Sequence, residues 1–212
     1  MTPEFSQVID PIFLTALGVM EEIDSKRPVQ MNDVRLRLQK CLDDGDASQG
    51  PAEMWQLSKY GLTCWIDDYM TFSDWGGQQF WKDNCLEVHY FGNRRAYNEF
   101  YEQARTAAQL PVKDALEVFY LCVVMGFRGC YRDNQGRISA ANAGLPDSLE
   151  NWAAEVSRQI ETNQGLPEVD MTPRLSGDCS PFKGQATLVS VSLTTACLAA
   201  GVAGYFYFKW LM

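Results

Sequence analysis

Histidine is almost absent from this chain of 212 residues, and its scarcity excludes several classes of catalytic site. One imidazole, that of His89, cannot form an HExxH motif, a multi-histidine metal site or a relay between two imidazoles. Walker loops, GxGxxG motifs and GxSxG motifs are also missing from the sequence. The sequence therefore predicts no catalytic residues, no cofactor-binding residues and no metal ligands, and it argues against an enzyme.

Paired cysteines are missing as well. The seven cysteines are odd in number, scattered along the chain and free of any CxxC pair. This pattern is typical of reduced, mostly buried thiols in a cytosolic domain. Cys85 and His89 could share one face of a helix, but a metal needs two further ligands and no nearby pair supplies them. We therefore expect His89 to be packed near a helix end.

Charge is absent from the last part of the chain. No Asp or Glu follows Asp178, and residues 184–208 carry no charged side chain. A helix that crosses the hydrocarbon core of a membrane needs about 20 mostly apolar residues. The stretch therefore predicts a transmembrane helix over 185–208. The alternative is a buried core helix, which is usually shorter and followed by more chain.

Small residues form a stripe along this predicted span. A small side chain recurs every four residues, at Ser192, Ala196, Ala200 and Gly204. Such a pattern lets two helices approach closely in a membrane, so it predicts packing with a second span, either in a homodimer or on a partner protein. An ordinary Ala-rich span is the alternative interpretation.

The rest of the chain divides around this span. We expect a cytoplasmic helical domain over 1–162, a linker over 163–184, the span over 185–208 and a short tail over 209–212. The N-terminus has no basic region before an apolar core, so it does not resemble a signal peptide, and the domain is expected to stay in the cytoplasm. Residues 1–182 carry a net charge of −11, which argues against nucleic acid as a partner and against attraction to an anionic leaflet.

Helical periodicity runs through the domain, and no convincing strand interrupts it. The pattern predicts an all-α bundle of about seven helices, and the most apolar of them, 114–127, is expected to be the central one. Gly126 or Gly129 is expected to end that helix by adopting a positive φ. The expected helices lie within 8–23, 34–42, 54–70, 81–88, 97–108, 114–127 and 149–160, and the expected loops are 43–51 and 133–147.

Two local expectations concern acidic residues. Asn32 or Asp33 is expected to cap the second helix. The neighbouring Asp67 and Asp68 point about 100° apart on a helix, so they are not expected to converge on one site. One of the two is expected to face water.

One segment resembles a known family. Residues 116–132, LEVFYLCVVMGFRGCYR, closely resemble the signature LLELxYLCLxLGFxGRYR of the DotU/TssL (IcmH) family of secretion-system proteins. Asp67 and Asp68 match the family's I-D-E element, with Asp68 in place of Glu, and His89 fits its histidine. The matching residues of the signature are Glu117, Tyr120, Leu121, Cys122, Gly126, Phe127, Gly129, Tyr131 and Arg132.

The resemblance implies a specific role. Members of this family are inner-membrane proteins with a cytoplasmic helical domain and a C-terminal span, and they belong to the membrane complex of type VI or type IVB secretion systems. They work with a large IcmF/TssM-like membrane protein, help to dock baseplate components, and are not enzymes. Cys130 replaces the usual Arg, and the sequence ends at Met212 without the peptidoglycan-binding domain of extended members, so the resemblance implies a divergent member.

The signature residues are expected to be mainly structural. Tyr120, Leu121, Val124 and Phe127 have the spacing of a helix face that packs in a core. The glycines permit a tight turn. The arginines at 128 and 132 are expected to pair with Asp67 or Asp68.

Two other classes of protein remain as alternatives. One is a tail-anchored helical regulator with the layout of Bcl-2 proteins, which also have a bundle, a linker and a span. The other is a membrane-tethered enzyme that uses His89 together with Asp67 or Asp68.

Overall fold

Helices make up all the regular structure in the part of the chain that the structure describes. The structure is a computed structural model, and it describes residues 1–47 and 51–164. Seven of the α-helices in these ranges have nine or more residues, which confirms the predicted all-α fold of about seven helices. The nine α-helices of the described ranges are α1 (Pro3–Asp24), α2 (Met31–Asp46), α3 (Ala52–Phe72), α4 (Gln78–Asp83), α5 (Leu86–Phe91), α6 (Ala96–Gln109), α7 (Asp114–Val124), α8 (Asn134–Asn142) and α9 (Leu149–Gln164), and a 3-10 turn spans Gly129–Arg132.

The predicted membrane anchor lies outside these ranges. The predicted span 185–208, the tail 209–212 and all but the first two residues of the linker belong to the part that the structure does not describe. Among the helices that it does describe, none combines the length and the apolar character that a membrane crossing requires. The packing residues Ser192, Ala196, Ala200 and Gly204, and with them the domain boundaries, stay predictions.

The central helix of the domain is α3, and not the apolar segment that the sequence favours. α3 packs against α2, α4, α5, α6 and α7, and all its residues from Leu57 to Asp67 are buried. α7 packs on α3, α6 and α9, but its last residue, Val124, is 60% exposed. Periodicity did not identify the central helix because α3 is buried on all sides while it still carries Ser58 and Thr63 in its buried stretch.

A glycine ends α7. Gly126 has φ +108°, its N–H donates to the carbonyl of Val123, and the N–H of Phe127 donates to the carbonyl of Cys122, both at 3.0 Å. These two bonds form a Schellman motif, which satisfies carbonyls that the helix itself leaves without partners. Gly129 also has a positive φ, of +49°, but it is the first residue of the 3-10 turn and does not end α7.

Two regions of the fold differ from the expectations. The predicted loop 133–147 contains α8, whose N-cap Asp133 accepts the N–H of Gly136 at 2.7 Å. Periodicity missed this helix because it buries only Gly136 and Ala140, so it has no apolar stripe. The second helix begins at Met31, and its N-cap is Gln30, so neither Asn32 nor Asp33 caps it as expected. The helix also continues to Asp46, into the predicted loop 43–51.

The glycine at the end of α7 generates a first prediction. The change Gly126→Ala should lower the free energy of unfolding by about 1–2 kcal/mol, because a Cβ is strained at φ +108°. Gly18 is the matched control, since it lies inside α1 with no atom within 4 Å of an added Cβ. The change Gly18→Ala should instead stabilise the chain by about 0.5–1 kcal/mol. Chemical denaturation of the full chain measures both, and equal stability of Gly126→Ala and the parent would contradict the turn.

Candidate functional site

The carboxylate of Asp67 holds the start of a different helix. Asp67 lies on α3, and its Oδ1 accepts the N–H of Leu86 at 2.8 Å and the indole N–H of Trp81 at 2.7 Å. Its Oδ2 accepts the N–H of Glu87 at 2.7 Å. The short helix α5 has no side-chain cap of its own, so Asp67 serves in place of one.

Burial governs the ionisation of this carboxylate. The Asp67 side chain lies in the core, and its burial raises the pKa to about 6, although the three N–H donors partly oppose that rise. Burial also raises the pKa of Glu87, which accepts the hydroxyl of Tyr60 at 3.0 Å and the N–H of Arg95 at 2.8 Å. Together the two acids connect α3, α5 and the start of α6.

Asp68 makes a separate contact. It forms an ion pair with Arg132, which confirms the expectation for this arginine, and the guanidinium of Arg132 also lies 3.9 Å from the ring centre of Phe72. Burial raises the pKa of Asp68, while Arg132 and Arg128 lower it in part. Arg128 itself forms no ion pair with a described residue, so the expected pairing is wrong for Arg128. Asp67 and Asp68 are both largely shielded, so the expectation that one faces water is wrong as well.

The signature turn after α7 is anchored by aromatic side chains. The ring of Phe127 stacks on Phe100 with a centroid distance of 3.9 Å. The Tyr101 hydroxyl donates to the carbonyl of Arg128 at 2.7 Å, and the Tyr131 hydroxyl donates to the carbonyl of Pro146 at 2.7 Å. The turn is therefore part of the packed domain: Tyr101 of α6 donates to its backbone, and its own Tyr131 donates to the segment that follows α8.

The helical part of the signature is packed less completely than its spacing suggests. Cys122 is fully buried, but Tyr120 and Leu121 are only half-buried, and the exposed Val124 corrects the expectation that all these positions face the core. Val124 is the last residue of α7, so it does not share a helix face with Phe127 as the spacing suggested.

Two other signature residues lie away from the acidic pair. Glu117 is half-buried on α7 and contacts the amino group of Met1. His89 is exposed on α5, where its ring centre lies 4.7 Å from that of Tyr90, so the expectation of a packed histidine is wrong, although it does lie near a helix end.

A cleft joins several of the predicted residues, and we call it the signature cleft. It has a volume of about 420 Å³, and Asp67, Asp68, Phe127, Gly129 and Arg132 from the predicted set line it. Asp67 and Asp68 both line it, but their carboxylates bind different segments, as expected for neighbours on a helix: Asp67 binds the start of α5, and Asp68 binds Arg132. His89, Glu117, Tyr120, Leu121, Cys122, Gly126 and Tyr131 do not line it.

Part of the remaining wall of the cleft comes from residues that sequence reasoning missed. Phe72, Lys82, Arg94, Tyr97 and Asp133 line it, and Phe72 is 59% exposed. The cations could have been noticed as basic residues in an acidic domain. Phe72 carries no such signal, because its exposure depends on where α3 ends against its neighbours.

Two thiols, those of Cys64 and Cys85, line the cleft. Burial raises the pKa of the Cys85 thiol, which keeps this cysteine a poor nucleophile. The five cysteines in the described ranges are unpaired thiols. Within the same ranges, no three His, Cys, Asp or Glu side chains are placed to hold a metal ion. An enzyme that uses His89 together with Asp67 or Asp68 would need these side chains at one site. Asp67 and Asp68 line the cleft, and His89 does not.

Comparison with known proteins identifies the class. The chain belongs to the family described as Type VI secretion system protein DotU, whose model matches residues 5–211. This is a family of structural secretion-system components and not a known enzyme family, so the chain is a component of a type VI secretion system.

Two solved structures are similar to the domain. The cytoplasmic domain of TssL from Acinetobacter baumannii has 22% sequence identity and a TM-score of 0.59, and the match covers 73% of this chain and 97% of that one. SciP/TssL from enteroaggregative Escherichia coli 042 has 20% identity and a TM-score of 0.49, and the match covers 61% of this chain and 79% of that one. No curated protein matches the sequence. The first structure shows that the helical fold is shared.

Asp67 generates the second prediction. The change Asp67→Ala should lower the free energy of unfolding by at least about 3 kcal/mol, because it leaves three buried N–H groups without an acceptor. The change Asp68→Ala is the matched control and should cost about 1–2 kcal/mol, since it removes one ion pair whose arginine is 31% exposed and stays hydrated. Denaturation of the full chain compares them. Equal losses for the two variants would show that Asp67 does not hold α5.

Proposed function

We propose that this chain is a non-enzymatic structural protein of the secretion membrane complex, anchored in the bacterial inner membrane by residues 185–208 with its helical domain in the cytoplasm. The observation that carries the proposal is the family match, because it extends over residues 5–211 and so includes both the helical domain and the uncharged stretch. The length of that stretch supports a single crossing of the bilayer.

The partners follow from the same family resemblance. The chain would tether cytoplasmic baseplate components to the membrane together with an IcmF/TssM-like inner-membrane protein. The charge of the domain supports protein partners, because a net charge of −11 over residues 1–182 is repelled by an anionic leaflet. A baseplate protein can approach such a domain from the cytoplasm without competition from lipid.

The alternative functions have less support. A tail-anchored regulator of the Bcl-2 layout would share the order of bundle, linker and span, but the family match favours the secretion component. A membrane-tethered enzyme would need a catalytic group beside the acids of the cleft, and the only histidine of the sequence lies elsewhere.

The tether generates the third prediction. In the native bacterium without this chain, a tagged baseplate protein should leave the membrane fraction, and the full chain should restore it. A chain that ends at Lys183 is the matched control, since it keeps the helical domain and lacks the predicted span. Sedimentation of membranes measures the distribution.

The same preparation tests the partner. The full chain should recover an IcmF-like protein from native membranes. Restoration of the membrane fraction by the shortened chain would overturn the tether, and recovery of no IcmF-like protein would overturn the partner.

The span generates the fourth prediction. A reporter of helix association in membranes should give a weaker signal after Ala200→Leu and Gly204→Leu, because a larger side chain separates helices that pack through small residues. Val202→Leu is the control, since position 202 lies about 200° around the helix from position 200. Unchanged association after Ala200→Leu and Gly204→Leu would leave only an ordinary Ala-rich span.

A further inference from the structure

A groove lies between α3 and α6, and it shares no lining residue with the signature cleft. We call it the α3–α6 groove. It has a volume of about 400 Å³, and its walls come from α3 between Glu53 and Tyr60, from the end of α5 with Asn93, and from α6 between Glu99 and Thr106. Glu53 and Glu99 are the charged residues of this lining, so both charges that the groove presents are negative.

The two carboxylates belong to different ends of the groove. The Glu87 carboxylate accepts the Tyr60 hydroxyl at 3.0 Å and the N–H of Arg95 at 2.8 Å. Arg95 is the N-cap of α6, so Tyr60 lies beside the helix start that carries Glu99 in its first turn. Glu53 lies two turns before Tyr60 on α3, which corresponds to about 10 Å along the helix axis.

An apolar floor lies between these two ends. Leu57 lies between Glu53 and Tyr60 on α3, and the ring of Phe91 packs against that of Tyr60 with a centroid distance of 4.9 Å. The groove therefore presents an acid, an apolar stretch and a second acid in this order.

The groove also contains hydrogen-bond acceptors without donors. Glu53 is exposed and has neither an ion pair nor a side-chain hydrogen bond to a described residue, and the Glu99 carboxylate accepts only the side-chain amide of Gln103 at 3.3 Å. The Asn93 amide donates to the carbonyl of Phe91 at 3.4 Å, while its Oδ1 is buried and accepts no hydrogen bond from the described residues. A buried acceptor of this kind costs free energy until a donor reaches it. The groove is therefore suited to a ligand that is rich in donors.

We propose that the α3–α6 groove binds a linear aliphatic diamine or polyamine, with one ammonium group at Glu53, another at Glu99 and the methylene chain over Leu57. An ammonium group has three donors and no acceptor, which complements two carboxylates and an amide oxygen that lacks a donor. The methylene chain complements the apolar floor.

The spacing of the acids favours a diamine over a metal ion or a lysine side chain. The ligands of a metal ion surround one point at about 2.0–2.6 Å, but Glu53 and Glu99 belong to separate ends of the groove. A lysine side chain carries one ammonium group and would leave one of the two carboxylates without a cation.

Two arginines lie beside one end of the groove. Arg94 and Arg95 line a neighbouring depression together with Glu99, but they do not line the groove, and neither forms an ion pair with Glu99. Both side chains are exposed, so water and salt screen their charge. Glu99 is therefore available to a cation inside the groove.

A ligand-observed NMR titration of the full chain in non-ionic detergent tests the proposal with cadaverine at constant ionic strength. Pentylamine is the matched ligand, since it has the same number of carbon atoms and a single ammonium group. We expect saturable binding of cadaverine and about fivefold weaker binding of pentylamine, which leaves one carboxylate unpaired. The thermal midpoint of the chain should rise with the concentration of cadaverine, because a ligand of the folded state stabilises that state.

Removal of one acid provides the matched comparison. The changes Glu53→Gln and Glu99→Gln should each weaken the binding of cadaverine about fivefold and leave that of pentylamine within about twofold. The change Glu4→Gln is the control, because Glu4 is an exposed acid in the first turn of α1 as Glu53 is in the first turn of α3. It should leave both affinities within about twofold. The thermal midpoint without ligand confirms that each variant is folded.

Several results would overturn the proposal. They are a lack of saturable binding, equal affinities for cadaverine and pentylamine, and an affinity for cadaverine that neither Glu53→Gln nor Glu99→Gln lowers. An equal loss in Glu4→Gln would also overturn it, since it would show only a general attraction of cations to an acidic chain. The outcome is independent of the secretion role, because the titration uses this chain alone.

Discussion

The geometry of the cleft depends on one buried carboxylate. Asp67 lies in the central helix α3, and its two oxygens accept an indole N–H from α4 and the first two N–H groups of α5. A helix of six residues cannot form stably alone, because too few of its hydrogen bonds are internal. The carboxylate therefore fixes where α5 begins, and with it the position of the segment from Lys82 to Arg94 on one side of the cleft.

The opposite side of the cleft depends on the end of α7. Gly126 reverses the chain through its positive φ, and the aromatic side chains of Phe100 and Tyr101 hold the turn that follows. This arrangement brings Arg132 to Asp68, so the two neighbouring acids of α3 face two different segments. The neighbouring acids have different tasks: Asp67 supports a helix start, and Asp68 neutralises an arginine beside Phe72.

The sequence predicted a large part of this arrangement. Periodicity predicted the helical class, glycine chemistry predicted the end of α7, and the expected pairing of Arg132 with Asp68 is confirmed. Other expectations failed for identifiable reasons. α8 has no apolar stripe, the central helix α3 contains polar residues, and His89 lies on the exposed side of a short helix. In each case burial is decided by neighbouring elements and not by the local pattern.

The sequence by itself determined the helical class, the uncharged stretch at 184–208, the net charge of the rest and the resemblance to a family. These are properties of residue order and composition, which need no contact between distant segments. Only the tertiary structure decided which charges are neutralised and which are free. The partners of Asp67 lie 14 to 20 residues further along the chain, and Arg132 lies 64 residues beyond Asp68. Hydrogen bonds over such separations form only when the helices have packed, so the pairing of these charges emerges with the fold.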